Sequence, residues 1–127
     1  MTSQRQAFST YNTMEEGKKI FMGDNGCIEA IGVGNVVVQS EVEDKLMKII
    51  MKNVLHVSKL HSNLFPVSHM VKEGCKVEFF PSGGSIRAPN NALLAQAIRE
   101  ANLFYIKFKK VMTTEVASVA QIGRAHV

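Results

Sequence analysis

Cysteine and histidine side chains are the ones in this sequence that could hold a metal ion. The candidates are Cys27, Cys75, His56, His61 and His69. A structural metal site needs about four ligands at compatible spacings, and the chain has no Cys-x-x-Cys pair. Only His56 and His61 stand at a spacing typical of a ligand pair. We therefore expect packed thiols and surface imidazoles, with no metal and no cofactor.

An aspartate stands in a second string with catalytic potential, Gly23-Asp24-Asn25-Gly26. Asp-Thr-Gly or Asp-Ser-Gly strings supply two carboxylates that share a proton and activate a water in aspartic proteases. Here Asn25 stands where the hydroxyl residue is required. Asn and Gly both tolerate positive φ, so this string between two strand-like runs is typical of a tight β-turn. The sequence favours the turn over catalysis.

Glycines and serines do not form the patterns that bind phosphate or activate a hydroxyl. Gly32-x-Gly34 has Val37 where a third glycine would complete a dinucleotide-binding loop, and the chain contains no Gly-Lys-Ser/Thr string. No serine lies in a Gly-x-Ser-x-Gly elbow. These patterns argue against nucleotide binding and give no support to a serine hydrolase.

The basic residues give a weak signal for nucleic acid. The chain carries 15 Lys+Arg against 11 Asp+Glu, but the lysines cluster only at Lys18-Lys19 and Lys107-x-Lys109-Lys110. A nucleic-acid surface would also need exposed aromatic rings beside the lysines, for which only Phe104, Tyr105 and Phe108 are available. Because alternate aromatic residues of a strand usually line a core, we expect buried rings.

The chain of 127 residues, 46% apolar and 20% charged, is expected to form one soluble domain. No apolar run approaches the ~20 residues of a membrane-spanning helix, and no apolar stretch follows Arg5 as in a signal peptide. Two cysteines do not make a disulfide framework. We therefore predict a cytoplasmic or nuclear protein that is neither secreted nor bound to a membrane.

Alternating apolar residues and clusters of turn formers predict the strands that must position these groups. Residues 19–22 and 27–31 flank the Gly23–Gly26 turn as a hairpin. Gly32-Val33-Gly34 is expected to bulge or break the second strand, and residues 45–54 form a third strand. One short helix is predicted near Pro66–Gly74, because proline is tolerated in a first helical turn and glycine ends helices.

The second half of the chain repeats the hairpin pattern. Residues 75–80 and 85–88 predict a hairpin across Pro81–Gly84. Helix propensity favours a helix over residues 92–100, whereas the strand-like run 103–108 behind a two-residue connection favours a hairpin there. Many short strands and a single helix predict a mostly β fold, either a small antiparallel β-barrel or a sandwich.

Several strings occur in an order that identifies a family. They are Met1-Thr2, Phe8-x-x-Tyr11, the run from Ile20 to Gly26, Ile31-Gly32-x-Gly34-x-Val36, the run from Lys52 to Val67, Gly74-x-x-Val77-x-Phe79 and Leu103-Phe104-Tyr105. This order resembles the Pol polyprotein of copia-type retrotransposons over roughly residues 1 to 108. In that family the stretch is an aspartic-protease-like β-barrel domain of the transposon TNT type, followed by the pre-integrase segment. The resemblance implies a small, retropepsin-like antiparallel β-barrel.

The resemblance also divides the chain. It implies that residues 1–110 are the protease-like barrel and that the family's Asp-Ser-Gly-Ala-Ser/Thr-x-His motif stands immediately before the Met-Thr that matches Met1-Thr2. The expected barrel therefore lacks its N-terminal catalytic strand, contains no catalytic residue and is inactive as a peptidase. Residues 111–127 are expected to be an unstructured tail, in which 121–127 matches the translation of a sequencing adapter and nothing in the family.

The function implied by the resemblance is that of a Pol polyprotein fragment from the region that processes the polyprotein in the intact element. Protease domains of the family dimerise and hold substrate as an added strand under hairpin flaps. The expected partners are therefore a second copy and polyprotein peptide segments, rather than nucleic acid. The flap-like residues implied here are Gly23, Asp24, Asn25, Gly26, Gly32 and Gly34.

Two alternatives remain open. In the first alternative, the chain is a domesticated, non-catalytic β-barrel that binds peptides or proteins at an exposed sheet edge. Otherwise it is a small basic barrel that binds nucleic acid, which would require the rings of Phe104, Tyr105 and Phe108 to face solvent.

Overall fold

Two antiparallel β-sheets and one short helix make up the fold seen in a computed structural model, which describes residues 1–21, 26–112 and 124–126. In chain order the elements are a 3-10 turn (Arg5–Ala7), β1 (Asn12–Phe21), β2 (Cys27–Val42), β3 (Lys45–His56), α1 (Val67–Lys72), β4 (Lys76–Phe80), β5 (Gly83–Arg87), β6 (Leu93–Glu100), β7 (Leu103–Lys107), β8 (Lys110–Val111) and β9 (Arg124–His126). The predicted mostly β class is confirmed.

Sheet 1 is organised around β2, which is long enough to change partner along one edge. On that edge β2 pairs first with β1, then with Phe8 at Val36, and then with β8. β3 pairs along the opposite edge of β2 between Gly32 and Val42. Sheet 2 has the strand order β4-β5-β6-β7-β9, with every neighbouring pair antiparallel.

Tight connections in sheet 1 follow from residues that accept positive φ. Glu43 and Asp44 join β2 to β3 with φ values of 50° and 63°, as in the two-residue turns whose twist matches the strands they join. The pairing of β2 with β3 shifts register between Gly34 and Val36, where Asn53 has φ 57°. Lys52 and Asn53 stand opposite Asn35 alone, so the extra residue of this bulge belongs to β3. The bulge or break predicted at Gly32–Gly34 in the second strand is therefore wrong, because β2 runs without interruption from Cys27 to Val42.

The core lies between the two sheets, because alternate residues of each strand face inward. Val38 and Ile49 of sheet 1 and Ile86 and Ile106 of sheet 2 are buried there. The other buried members of this cluster are Ala7, Phe8, Val36, Met51, Val54, Phe65, Met70, Ala95, Ala97, Phe108 and Val111. In the part of the chain that is described, strand pairing does not join the two sheets, so the barrel-like fold consists of two packed sheets.

The local predictions meet different outcomes. The short helix is present as α1, and residues 93–100 form strand β6, so context prevails over helix propensity there. Of the predicted tail, Val111 belongs to β8 and Arg124–His126 pairs with β7, while residues 113–123 and 127 lie outside the described residues. No helix in the described ranges has both the length and the hydrophobicity that crossing a bilayer requires.

Candidate functional site

A two-stranded ribbon, here called the hairpin arm, consists of β1 and the residues of β2 that pair with it (residues 12–21 and 27–33). No residue of β1 is buried, and Phe21 at its end is 80% exposed. Cys27 and Glu29 on the facing strand are also exposed. β1 therefore adds no buried side chain to the core, and a two-stranded ribbon by itself is only marginally stable.

The predicted flap residues fall on and near this arm. Gly23, Asp24 and Asn25 lie outside the described residues, so the turn that they were predicted to form stays a prediction. Gly26 follows as the residue before β2. The strands on either side, β1 and β2, pair from Phe21 with Cys27 onward, which confirms the predicted hairpin.

The arm carries a wide bulge in β1. Thr13 pairs with Gly32 and Lys18 with Ala30, so the four residues Met14–Gly17 stand opposite Ile31 alone. The side chain of Glu29 lies over Gly17, where a Cβ atom would overlap the carboxylate. Since bulges bend a strand and increase its twist, the arm changes direction at this point.

A groove of about 310 Å³ runs between the arm and the loop that follows β3. Its lining is mixed in chemistry and consists of Lys19, Cys27, Ile28, Glu29, Ile31, Ser58 and Lys59. The isoleucines offer apolar contacts, whereas the lysines, the carboxylate and the serine offer polar ones. Such a lining suits an extended peptide better than it suits a small apolar molecule.

Gly32 and Gly34 lie at the base of the arm, where the N-terminal segment crosses β2. Both are buried. A Cβ at Gly32 would overlap the hydroxyl of Tyr11, and a Cβ at Gly34 would overlap the carbonyl oxygen of Thr10. These glycines therefore allow residues 8–11 to lie close against the sheet.

His56 fixes the same crossing from the β3 side. Its Nε2 lies 3.3 Å from the carbonyl oxygen of Ser3, which can only accept, so Nε2 donates. Nδ1 consequently accepts from the hydroxyl of Tyr11 at 2.7 Å. Phe8 packs edge-on against Tyr11 with 5.2 Å between ring centroids, and the Arg5 guanidinium lies 3.8 Å from the Tyr11 ring centre. The His56 imidazole thus holds the N-terminal segment against sheet 1 through a hydrogen bond from each ring nitrogen.

The first residues of the chain extend β3 on its open side. The amide of Thr2 donates to the carbonyl oxygen of Leu55 at 3.0 Å, and the amide of Val57 donates to the carbonyl oxygen of Thr2 at 2.9 Å. The amine of Met1 donates to the carbonyl of Leu64 at 2.9 Å. Burial lowers the pKa of this amine to about 6 from its usual 8.0.

The expectations for thiols and imidazoles need correction. His56 was expected at the surface but is only 7% exposed, because its two hydrogen bonds satisfy both ring nitrogens. Cys27 was expected to be packed but is exposed, because it lies on the projecting arm. Cys75 is half-buried, and burial followed by the charge of Glu73 raises its pKa. The described residues contain no cluster of three metal-ligating side chains.

Acidic residues in the described ranges are all exposed. Asp44 lies in the turn between β2 and β3, and every described glutamate is also at the surface. A proton-sharing pair of the aspartic-protease kind needs two close carboxyl groups shielded from water. The described part of the chain holds no carboxyl group in such an environment.

The aromatic residues beside the C-terminal lysines do not form an open stacking surface. Phe108 is buried and packs against Phe65 with 6.2 Å between ring centroids. Phe104 packs against Phe79 at 4.9 Å, and both Phe104 and Tyr105 are partly buried. The prediction of core rings is confirmed in full for Phe108 and in part for the other two.

Sequence reasoning missed the site formed by Tyr11 and His56. The only signal was the string Phe8-x-x-Tyr11, which carried part of the family resemblance without a physical role. Tyr11 and His56 are 45 positions apart, so their contact follows from the pairing of β2 with β3 and from the crossing of the N-terminal segment.

Comparison with known proteins gives one match. A family model described as "Pol polyprotein, beta-barrel domain" matches residues 1–75, which include the hairpin arm, β3, the N-terminal segment and α1. No curated protein and no solved structure matches the chain. The match covers more than half of the 127 residues.

Proposed function

The chain belongs to the Pol polyprotein β-barrel domain family, and we propose that it derives from the aspartic-protease-like region of a copia-type retrotransposon Pol polyprotein. In this proposal the region processes the polyprotein in the intact element. The chain contributes the β-scaffold and the hairpin arm, while catalytic carboxylates come from outside residues 1–127. On its own the chain does not cleave peptides.

The observation that carries this proposal is the exposure of the hairpin arm. β1 has ten residues and none of them is buried, so the arm gains little from packing on its own domain. Phe21 and Ile31 are 80% and 38% exposed on it. An arm of this kind can close over an extended peptide, contacting its side chains with apolar residues and its main chain with an open strand edge.

The groove at the side of the arm supports the same assignment. Lys19 and Lys59 on its walls can contact carbonyl or carboxylate oxygens of a bound segment, and Ile28 and Ile31 can contact its apolar side chains. The acidic side chains of the described residues are all exposed, whereas a proton-sharing carboxyl pair must be shielded from water. Peptide positioning without hydrolysis is therefore the activity proposed for this chain alone.

Sequencing the genomic locus on both sides of the reading frame tests the origin of the chain. The proposal expects an in-frame Asp-Ser-Gly string upstream and an integrase downstream. A short gene bounded by introns, with neither feature, would overturn the retrotransposon assignment.

Expressing the longer product tests the role of the arm. The product that includes the upstream segment is expected to cleave a Pol-derived fusion substrate, whereas residues 1–127 alone are not. Phe21→Ser in the longer product should lower kcat/KM severalfold, because the arm loses its largest apolar contact. Val71→Ser is the matched control, since Val71 is 51% exposed on α1. Equal activity of Phe21→Ser and the parent would refute the flap role.

A second candidate function is a domesticated module that binds peptides without cleavage. The exposure of the hairpin arm supports this function as well as it supports polyprotein processing, because peptide binding needs only an open strand edge. An intron-bounded gene whose product binds extended peptides would establish this alternative.

A further inference from the structure

The outer face of β3 has a regular alternation of aliphatic and cationic side chains. Leu46, Lys48, Ile50 and Lys52 are all exposed, with Leu46 at 56% and Ile50 at 49%. Ile49 and Met51 between them are buried in the core. Because residues two apart in a strand share a face about 6.6 Å apart, Lys48 and Lys52 stand about 13 Å from each other with Ile50 between them.

The same part of β3 borders an open edge of sheet 1. β3 is the last strand in the order β1-β2-β3, and the N-terminal segment covers its outer edge only from Leu55, through Thr2. Within the described residues no strand pairs with the outer edge over Lys45–Lys52. Backbone N–H and C=O groups on this edge are therefore available to an added strand.

The lysines on this face have no acidic partner within salt-bridge distance among the described side chains. Glu41, the acid across the strand pair, is bonded to Lys109 at 3.3 Å. Glu43 and Asp44 lie in the turn beyond Lys45, at the end of the strand. Two positive charges and two exposed aliphatic side chains thus flank an open backbone edge.

We propose that the outer edge of β3 binds an extended acidic peptide, which adds to sheet 1 as a further strand. The ligand has two acidic residues four positions apart, opposite Lys48 and Lys52, and a branched aliphatic residue between them opposite Ile50. Main-chain hydrogen bonds supply affinity and the cross-strand pairs supply specificity. This site lies on the opposite side of sheet 1 from the hairpin arm, so it goes beyond the proposed processing role and does not depend on it.

A second copy of the chain fits this edge poorly. Antiparallel pairing of two β3 edges centred on Ile50 would place Lys48 of each copy opposite Lys52 of the other, and like charges directly opposite destabilise a strand pair. Edge lysines also oppose self-association in general. Nucleic acid fits less well than a peptide, because Leu46 and Ile50 are aliphatic and provide no ring on which a base can stack.

Fluorescence anisotropy with the full chain and two labelled peptides tests the proposal. The acidic probe is Thr-Glu-Thr-Val-Thr-Glu-Thr, and the basic probe has lysine in place of both glutamates. The double substitution Lys48→Glu with Lys52→Glu reverses the charges of the site. The matched control is Lys72→Glu with Lys107→Glu, which changes two exposed lysines elsewhere by the same charge.

The expected result is an exchange of specificity. The parent chain binds the acidic probe, the Lys48→Glu/Lys52→Glu variant binds it about tenfold or more weakly, and the same variant gains affinity for the basic probe. The gain shows that the variant is folded. Backbone N-methylation of alternate peptide residues should abolish binding, because it removes the main-chain donors.

Three results would overturn the proposal. The control variant could weaken binding as much as the site variant, which would indicate attraction by net charge alone. The N-methylated peptide could bind as well as the unmodified one, which would exclude strand addition. An oligothymidylate of matched charge could bind more tightly than the acidic probe and lose affinity in the site variant, which would identify a nucleic-acid site. None of these results bears on peptide cleavage by the longer product, so the proposed function is tested separately.

Discussion

The hydroxyl of Tyr11 lies 2.7 Å from Nδ1 of His56, and this contact joins the residue before β1 to the last residue of β3. The other ring nitrogen of His56 is held by the carbonyl of Ser3. A single buried imidazole therefore ties the N-terminal segment to sheet 1 at two points. The base of the hairpin arm is fixed in this way, while the arm beyond it is exposed.

Tyr11→Phe tests this link. The substitution removes the donor and leaves Nδ1 of a buried histidine without a partner, which costs about 1–3 kcal/mol in the free energy of unfolding. Urea denaturation measures the loss. His56→Leu should cost less in the Tyr11→Phe background than in the parent, because the hydrogen bond is already broken. Strictly additive costs would show that the two side chains do not act as a pair.

Gly34→Ala should destabilise the chain more than Gly32→Ala. A Cβ at Gly34 meets the backbone carbonyl of Thr10, which cannot move unless the crossing segment shifts. A Cβ at Gly32 meets the end of the Tyr11 side chain, which can rotate away by giving up its bond to His56. Thermal denaturation of the two variants gives the order of stability, and Tyr11→Phe should lower the cost of Gly32→Ala. The reverse order would contradict this packing.

These glycines show how far the sequence could predict the fold. Their spacing predicted a bulge or break in the second strand, but β2 is continuous there and the extra residue lies on β3, opposite Asn35. Their close approach to Thr10 and Tyr11 could not be predicted, because nothing local places residues 8–11 across a strand that begins at residue 27. Alternation and turn residues report on neighbouring strands, whereas this crossing depends on contacts between distant segments.

Strand β6 is a second case in which contacts between distant segments decide the structure against the local propensity. Its residues Leu93–Glu100 include good helix formers, and propensity alone predicts a helix. Pairing with β5 and β7 on both sides makes it a central strand, in which Ala95 and Ala97 are buried against the core. The two-residue connection to β7 was the sequence feature that predicted this outcome correctly.

A small cavity between the N-terminal segment and the core offers a test of packing. Its volume is about 40 Å³, and Val38 and Phe108 are among the residues that line it. Val38→Ile should fill part of this space and raise the free energy of unfolding by about 0.5–1 kcal/mol. Val57→Ile is the control, since Val57 is fully buried away from the cavity lining and an added methylene there costs about 1 kcal/mol or more. Equal effects at both positions would show that the cavity does not accommodate the added group.

The amine of Met1 should make the stability of this chain depend on pH. Its pKa is about 6 in the folded chain and 8.0 as its ordinary value, so the unfolded chain binds the proton more tightly. The full stability is present above pH 8 and falls by about 2–3 kcal/mol as the pH drops to 6. Denaturation at a series of pH values measures this slope.

Acetylating the amine removes the charge and keeps an N–H donor for the carbonyl of Leu64. The acetylated chain should therefore lose the part of the slope between pH 8 and 6 that belongs to Met1, while every other titrating group stays the same. Identical slopes for the two forms would show that the amine is solvated in the folded chain.

Ala101→Gly should stabilise the turn between β6 and β7. Ala101 has φ 53°, a left-handed conformation that costs a residue with a Cβ atom about 1 kcal/mol relative to glycine. Its carbonyl accepts a hydrogen bond from Nε of Arg99 at 3.1 Å, and this bond is kept in the variant. The expected gain is therefore about 1 kcal/mol in the free energy of unfolding, measured by urea denaturation. Ala97→Gly is the matched control: Ala97 is buried within β6, so the same exchange should destabilise the chain by about the same amount. A loss of stability in both variants would show that residue 101 adopts an ordinary extended conformation in solution.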